Sequence, residues 1–125
     1  MEPVFLNTQE WQACMTAIMQ LQFNFGVVCG IDAVLKGAPE AHHEAVGRGR
    51  ATALAEIKSI YAAFNQTSGK EMNQVLVDHY PPAADWFERL RPEIDAAPLN
   101  AEKVAYYAGL YRSILAREIP QGDVH

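Results

Sequence analysis

The feature that most constrains this chain is the stretch 8–35, Thr-Gln-Glu-Trp-Gln-Ala-Cys-Met-Thr-Ala-Ile-Met-Gln-Leu-Gln-Phe-Asn-Phe-Gly-Val-Val-Cys-Gly-Ile-Asp-Ala-Val-Leu. Trp11, Cys14, Ile18, Leu21, Phe25, Val28, Asp32 and Leu35 recur at alternating steps of three and four. That spacing predicts one long helix with a heptad seam and a single acid in the seam. From Met19 onward the opposite face also turns apolar, through Phe23, Val27, Ile31 and Val34. A helix apolar on nearly all sides has to be surrounded by other protein. Asn7-Thr-Gln-Glu10 approximates a capping box at its start, Gly26 and Gly30 are the points where it can bend, and Lys36-Gly37 supply the cation and glycine that end it.

Ala38-Pro39 opens a second helix, with proline accepted in the first turn, running over 39–65 with the stripe Val46, Gly49, Ala53, Ile57, Ile60 or Tyr61, and Phe64. A tight turn at 36–38 makes the two helices an antiparallel hairpin in which residue i lies level with roughly 75 − i. On that register Gly26 and Gly30 face Gly47 and Gly49, which permits close backbone approach. Asp32 falls beside His42 and His43, the partners a carboxylate on an apolar stretch needs. Ser68-Gly-Lys-Glu71 reads as a capping box for a third helix, 69–79. Pro81 stops it, Pro82 starts a short fourth helix through Leu90, and Pro92 and Pro98 bracket a half-helix, 92–97. Asn100 caps a last helix, 101–118, with Val104, Tyr107 or Ala108, Tyr111, Ile114 and Leu115 on one stripe. No stretch alternates with period two. The expected fold is all-α: a single-domain helical bundle of four to six helices over 1–125, with 1–6 as an N-terminal arm and 120–125 as a loose tail.

A net charge of −5 argues against nucleic acid as a partner, because backbone phosphates need a basic surface. Cys14 and Cys29, on one helix, stand roughly 22 Å apart at 1.5 Å per residue, whereas a disulfide needs about 7 Å. They are expected as buried free thiols in a reducing compartment. The N-terminus carries Glu2 where a secretory signal carries basic residues. Gln20, Gln22, Asn24 and Asp32 interrupt the one candidate span, so no membrane is expected and the chain reads as cytoplasmic.

Glu40-Ala-His42-His43 holds one Glu-x-x-His, where a di-iron bundle needs two plus a glutamate from each of two further helices. Gly47-Arg-Gly-Arg50 follows no strand, so it fails the context test for a dinucleotide loop. Arg48, Arg50 and Lys58 share their helix with Glu40, Glu44 and Glu56, which weakens a helix-turn-helix reading. Thiols on a core face are inert. No cofactor or catalytic residue is expected, and an enzyme is the less favoured reading.

Recognition remains. Over 78–95 five acids stand against Arg89 and Arg91, with Tyr80, Trp86 and Phe87 interleaved. Aromatics rimmed by acids supply anchors and steering together. The first expectation is a small acidic protein-interaction module, such as an inhibitor, an immunity or anti-defence protein, or an accessory chaperone. It would capture a basic protein partner through Tyr80, Asp85, Trp86 and Glu88, unless Trp86 or Phe87 plugs the core. Tyr106, Tyr107 and Tyr111 form a second aromatic surface. The second expectation is a helical ligand- or metal-binding protein or enzyme using Asp32, His42, His43 and His79. The third is a homodimer through the surplus apolar face of the first helix.

Overall fold

Asn7 and Glu10 start the first helix by exchanging hydrogen bonds. The Glu10 amide donates to Asn7 Oδ1 at 2.8 Å and the Asn7 amide donates to Glu10 Oε1 at 3.0 Å. This reciprocal box satisfies two of the amides that a helix start leaves unpaired. A computed structural model describes residues 6–37, 40 and 43–117 of the chain. Five helices account for most of them: α1 (Thr8–Gly37), α2 (His43–Ser68), α3 (Met72–His79), α4 (Pro81–Ala96) and α5 (Ala101–Leu115). The described residues contain no strand, and the protein is all-α. The tail 120–125, His42, most of the arm 1–6 and the end of the expected last helix, 118, lie outside the described residues.

α1 runs unbroken through Gly26 and Gly30. Its seam buries Cys14, Ile18, Leu21 and Val28, with Ala13 and Ala17 beside them. α2 lies against both α1 and α5, and buries Ala53, Ile57, Ile60 and Phe64, the stripe expected from its spacing. α3 and α4 pack on each other and add Met72, Val75, Leu76 and Phe87 to the same core. Full burial of each large apolar side chain contributes about 1.5–3 kcal/mol. Edge-on rings join the elements: Phe64 meets Tyr111 at 6.2 Å, and Tyr61 meets Phe87 at 5.9 Å.

Element ends differ from the expectation where side chains do unexpected jobs. α2 continues to Ser68, and Gly69 ends it in the left-handed region at φ 70°. The Ser68–Glu71 box does not form. The Ser68 hydroxyl donates back to Phe64 O, while Asn65 Oδ1 accepts the Met72 amide at 2.6 Å and caps α3 from the preceding helix. α4 runs from Pro81 straight through Pro92 to Ala96 instead of breaking at Leu90. An internal proline costs about 3 kcal/mol. Three contacts beyond it hold the helix together: Ile94 is buried, Glu93 pairs with Arg50, and Lys58 donates to the carbonyls of Asp95 and Ala97 at 2.9 and 2.8 Å. Asn100 caps α5 as expected, accepting from the Lys103 amide.

The register between α1 and α2 also differs. Asp32 meets Arg50, Ile31 approaches Gly49, and Glu10 reaches Lys70 just beyond α2, so residue i of α1 lies near 80 − i. The level positions thus stand about five from those expected, and the expected start of the second helix at 38–39 lies outside the described residues. The close approach of glycines is absent. A Cβ added at Gly26, Gly30 or Gly47 would meet nothing within 4 Å, and one at Gly49 would lie 3.5 Å from Ile31 Cδ1.

Candidate functional site

At 100° per residue, Met15, Met19, Phe23, Gly26, Gly30 and Ala33 fall within about 40° of one line along α1. All six are exposed, Met19 to 66% and Phe23 to 72%. Of the surplus apolar face inferred from the sequence, Met19, Phe23 and Val34 are exposed, whereas Val27 packs against the core and Ile31 is half-buried near Gly49. The polar residues of the same stretch are used internally. Gln20 Oε1 accepts from the buried Tyr111 hydroxyl at 2.5 Å, Gln22 donates to the Tyr80 hydroxyl at 2.9 Å, and Asn24 donates to Gln20 O. Burial drives the Tyr111 hydroxyl's pKa well above the ordinary phenol value, so it stays a donor.

Shallow clefts flank this face. One, of about 230 Å³, is lined by Trp11, Met15, Ile18, Met19, Gln22, His79 and Tyr80. A second, of about 410 Å³, lies between Met19, Phe23 and the α2–α5 side chains Glu56 and Tyr107. Tyr107 donates to Glu56 Oε2 at 2.5 Å, and burial together with that carboxylate raises its pKa. Lys103 pairs with the same carboxylate at 3.0 Å. The cleft walls are thus fixed by hydrogen bonds, while the ridge between them is free apolar surface.

Two ion-pair clusters lie on the other side of α1, toward its two ends. At one end Lys70 pairs with Glu10. Burial pushes the Glu10 carboxyl upward, but the Asn7 amide and the Lys70 ammonium outweigh it and hold the pKa below its ordinary value. At the other end the Arg50 guanidinium donates to both Asp32 oxygens, at 2.7 and 3.4 Å, and reaches Glu93 at 2.5 Å. Of the expected Asp32–His42–His43 grouping, His42 lies outside the described residues. Arg50 holds Asp32, and His43 stands seven positions earlier on α2, about 10 Å along the helix. Among the described residues no three His, Cys, Asp or Glu side chains converge as a metal site requires. Cys14 is buried, with its thiol pushed up to about 11 by desolvation, but Cys29 is exposed and not the buried thiol expected.

The segment expected to capture a partner divides. Asp85 and Glu88 are exposed. Trp86 is half-buried, stacked on Phe25 at 5.2 Å and edge-on to Tyr80 at 6.0 Å. Phe87 is fully buried and is the core plug of the pair. Tyr80, also half-buried, lines the smaller cleft and so carries its segment to the edge of the α1 face. Of the second aromatic surface, Tyr111 is buried, Tyr107 lines the larger cleft and Tyr106 is 67% exposed.

The sequence alone did not reveal Arg50 as the partner of Asp32. Comparison with protein-family models, with curated proteins and with solved structures finds no match in any of the three.

Proposed function

We propose that this chain is a helical protein-interaction module whose working surface is the outward face of α1. On this reading the five helices form one bundle, with α1 and α2 as an antiparallel hairpin, an arrangement supported by the Asp32–Arg50 and Glu10–Lys70 pairs at its two ends. The observation that carries the proposal is the unbroken exposed ridge Met15, Met19 and Phe23 between two clefts. Scattered surface apolar residues are ordinary, but a contiguous rigid row rimmed by polar groups marks an interaction site. Methionine and aromatic side chains are the types enriched in interface cores, and methionine adapts to the shape it meets. Tyr80 and Trp86, with the exposed Asp85 and Glu88, are assigned to the edge of the partner's footprint rather than its centre. Such a module suits an inhibitor, an immunity or anti-defence protein, or an accessory chaperone in the cytoplasm. α1 alone among the described helices is long and apolar enough to cross a membrane. Asp32 and the glutamines that interrupt it are engaged by other helices, which supports a soluble role.

The test is photo-crosslinking in the native cells, with a photoreactive phenylalanine analogue in place of Phe23 and, in a second chain, of Trp86. The expected result is a protein adduct formed most strongly from position 23. Adducts from position 86 alone would move the site to the acidic segment. Lipid adducts alone from position 23 would overturn the proposal.

A further inference from the structure

The outward face of α1 has two unlike halves. Met15, Met19 and Phe23 stand proud in the first, while Gly26, Gly30 and Ala33 leave the second low. A Cβ at either glycine would meet nothing, so the chain's own packing gives no reason for two residues that weaken a helix interior. A notch of that kind lets another helix approach closely. The chain carries knobs that fit such a notch, displaced along the same line. Knobs and notch meet reciprocally, with both seats filled, if the second helix runs the opposite way; a parallel helix offset by seven residues fills one seat and leaves the other open.

Resting on the proposed role of this face, we infer that its occupant is a second copy of this chain, docked antiparallel about a two-fold axis, with Phe23 over the partner's Gly26 and Met19 over the partner's Gly30. Residue i of one copy then lies near 49 − i of the other, roughly the relation that brings Met15 to the partner's Val34, itself 56% exposed. Such an isologous contact covers both ridges and closes, leaving no unpaired face. Charge points the same way. The chain carries −5, yet between Met15 and Ala33 its only charged residue is Asp32, which lies away from this line and is held by Arg50. A basic partner finds nothing to pair with on this face, whereas two acidic copies can meet across a neutral strip without repulsion. A bilayer is less suited. The other side of α1 is occupied by α2 and α5, and an acidic chain is repelled by anionic lipid.

The test is the mass of the full chain in solution, followed through a dilution series by sedimentation, for the native sequence, Gly30→Leu and Phe23→Glu. The native chain is expected to approach twice 13.9 kDa when concentrated and to dissociate on dilution. Gly30→Leu fills the notch with a better helix former, and should raise the dissociation constant about tenfold or more while helical circular dichroism is retained. Phe23→Glu, at an exposed position, should do the same and covers the case in which the leucine variant fails to fold. A native chain that stays monomeric throughout overturns the inference. So does a monomer that floats with phosphatidylcholine vesicles. Dimerisation left equal or tightened by Gly30→Leu would show greasy association without this seating and overturns it too. If the monomer still gives protein adducts from position 23, the interaction role survives without the second copy. If it gives none, both fall.

Discussion

Replacing Gly47 with alanine and, separately, Gly69 with alanine should move stability in opposite directions. Gly47 lies inside α2, and its added Cβ meets nothing within 4 Å. Glycine in a helix interior is about 0.8–1 kcal/mol worse than alanine, and part of that is the freedom glycine gives the unfolded chain. Gly47 sits near the start of α2, so a gain of about 0.5–1 kcal/mol is expected. At about 2.1 cal/mol/K per residue, 125 residues unfold with roughly 0.26 kcal/mol/K, so Tm should rise by about 2–4 °C. Gly69 has φ 70°, where a Cβ crowds the following carbonyl at a cost of about 1–2 kcal/mol, and Tm should fall by about 4–8 °C. The assay is thermal unfolding by circular dichroism at matched protein concentration, since association makes Tm concentration-dependent. A fall on Gly47→Ala would mean that the glycine is packed against backbone, as the 75 − i register implied, and would refute the shifted register. An unchanged Tm on Gly69→Ala would refute the left-handed end of α2.

Three further outcomes follow from the same contacts. Iodoacetamide should modify Cys29 in the native chain while Cys14 stays protected until unfolding, because Cys29 is exposed whereas Cys14 is buried, with its thiol pushed up to about 11; equal rates read by mass spectrometry would contradict this. Glu10 has a depressed folded pKa, so its contribution is present above its unfolded pKa and is lost as pH falls through the folded value. Glu10→Gln should therefore cost about 1 kcal/mol in urea unfolding at neutral pH and progressively less in acid, and a pH-independent difference would remove Lys70 from the explanation. Arg50→Met should cost about 1–2 kcal/mol, a modest sum because Asp32 and Glu93 are each nearly half exposed and can rehydrate. High salt should shrink that cost, and a salt-independent loss would point to packing of the arginine stem instead.

The helices were legible where a single physical signal decided them. The Asn7–Glu10 box, the Asn100 cap and the Ala53-Ile57-Ile60-Phe64 stripe are local, and each stands where the sequence placed it. Pro92 misled because propensity is local and its compensation is not. Lys58 and Arg50, some forty positions earlier, hold the turn that a proline would break. Ser68 misled because its hydroxyl had a nearer acceptor, Phe64 O, and Asn65 took the capping role. The register failed for a related reason: it hung on an assumed tight turn at 36–38, and the observed pairing, about five residues away, sets Arg50 beside Asp32. The surplus apolar face of α1 was legible in part: periodicity pointed to Met19, Phe23 and Val34, which are exposed, but also to Val27, which packs against the core, and to Ile31, which is half-buried near Gly49. The sequence could not say whether later helices cover it, and the described helices leave Met19, Phe23 and Val34 exposed.

The outward face of α1 is tested most directly by hydroxyl-radical footprinting of the full chain, comparing dilute protein with protein that is concentrated or bound to its captured partner. Labelling of Met15, Met19 and Phe23 should fall on association, while Leu99 and Tyr106, exposed elsewhere at 57% and 67%, keep their dilute-state labelling. Association that leaves Met19 and Phe23 fully labelled and protects Tyr106 or Trp86 instead would contradict the assignment of this face.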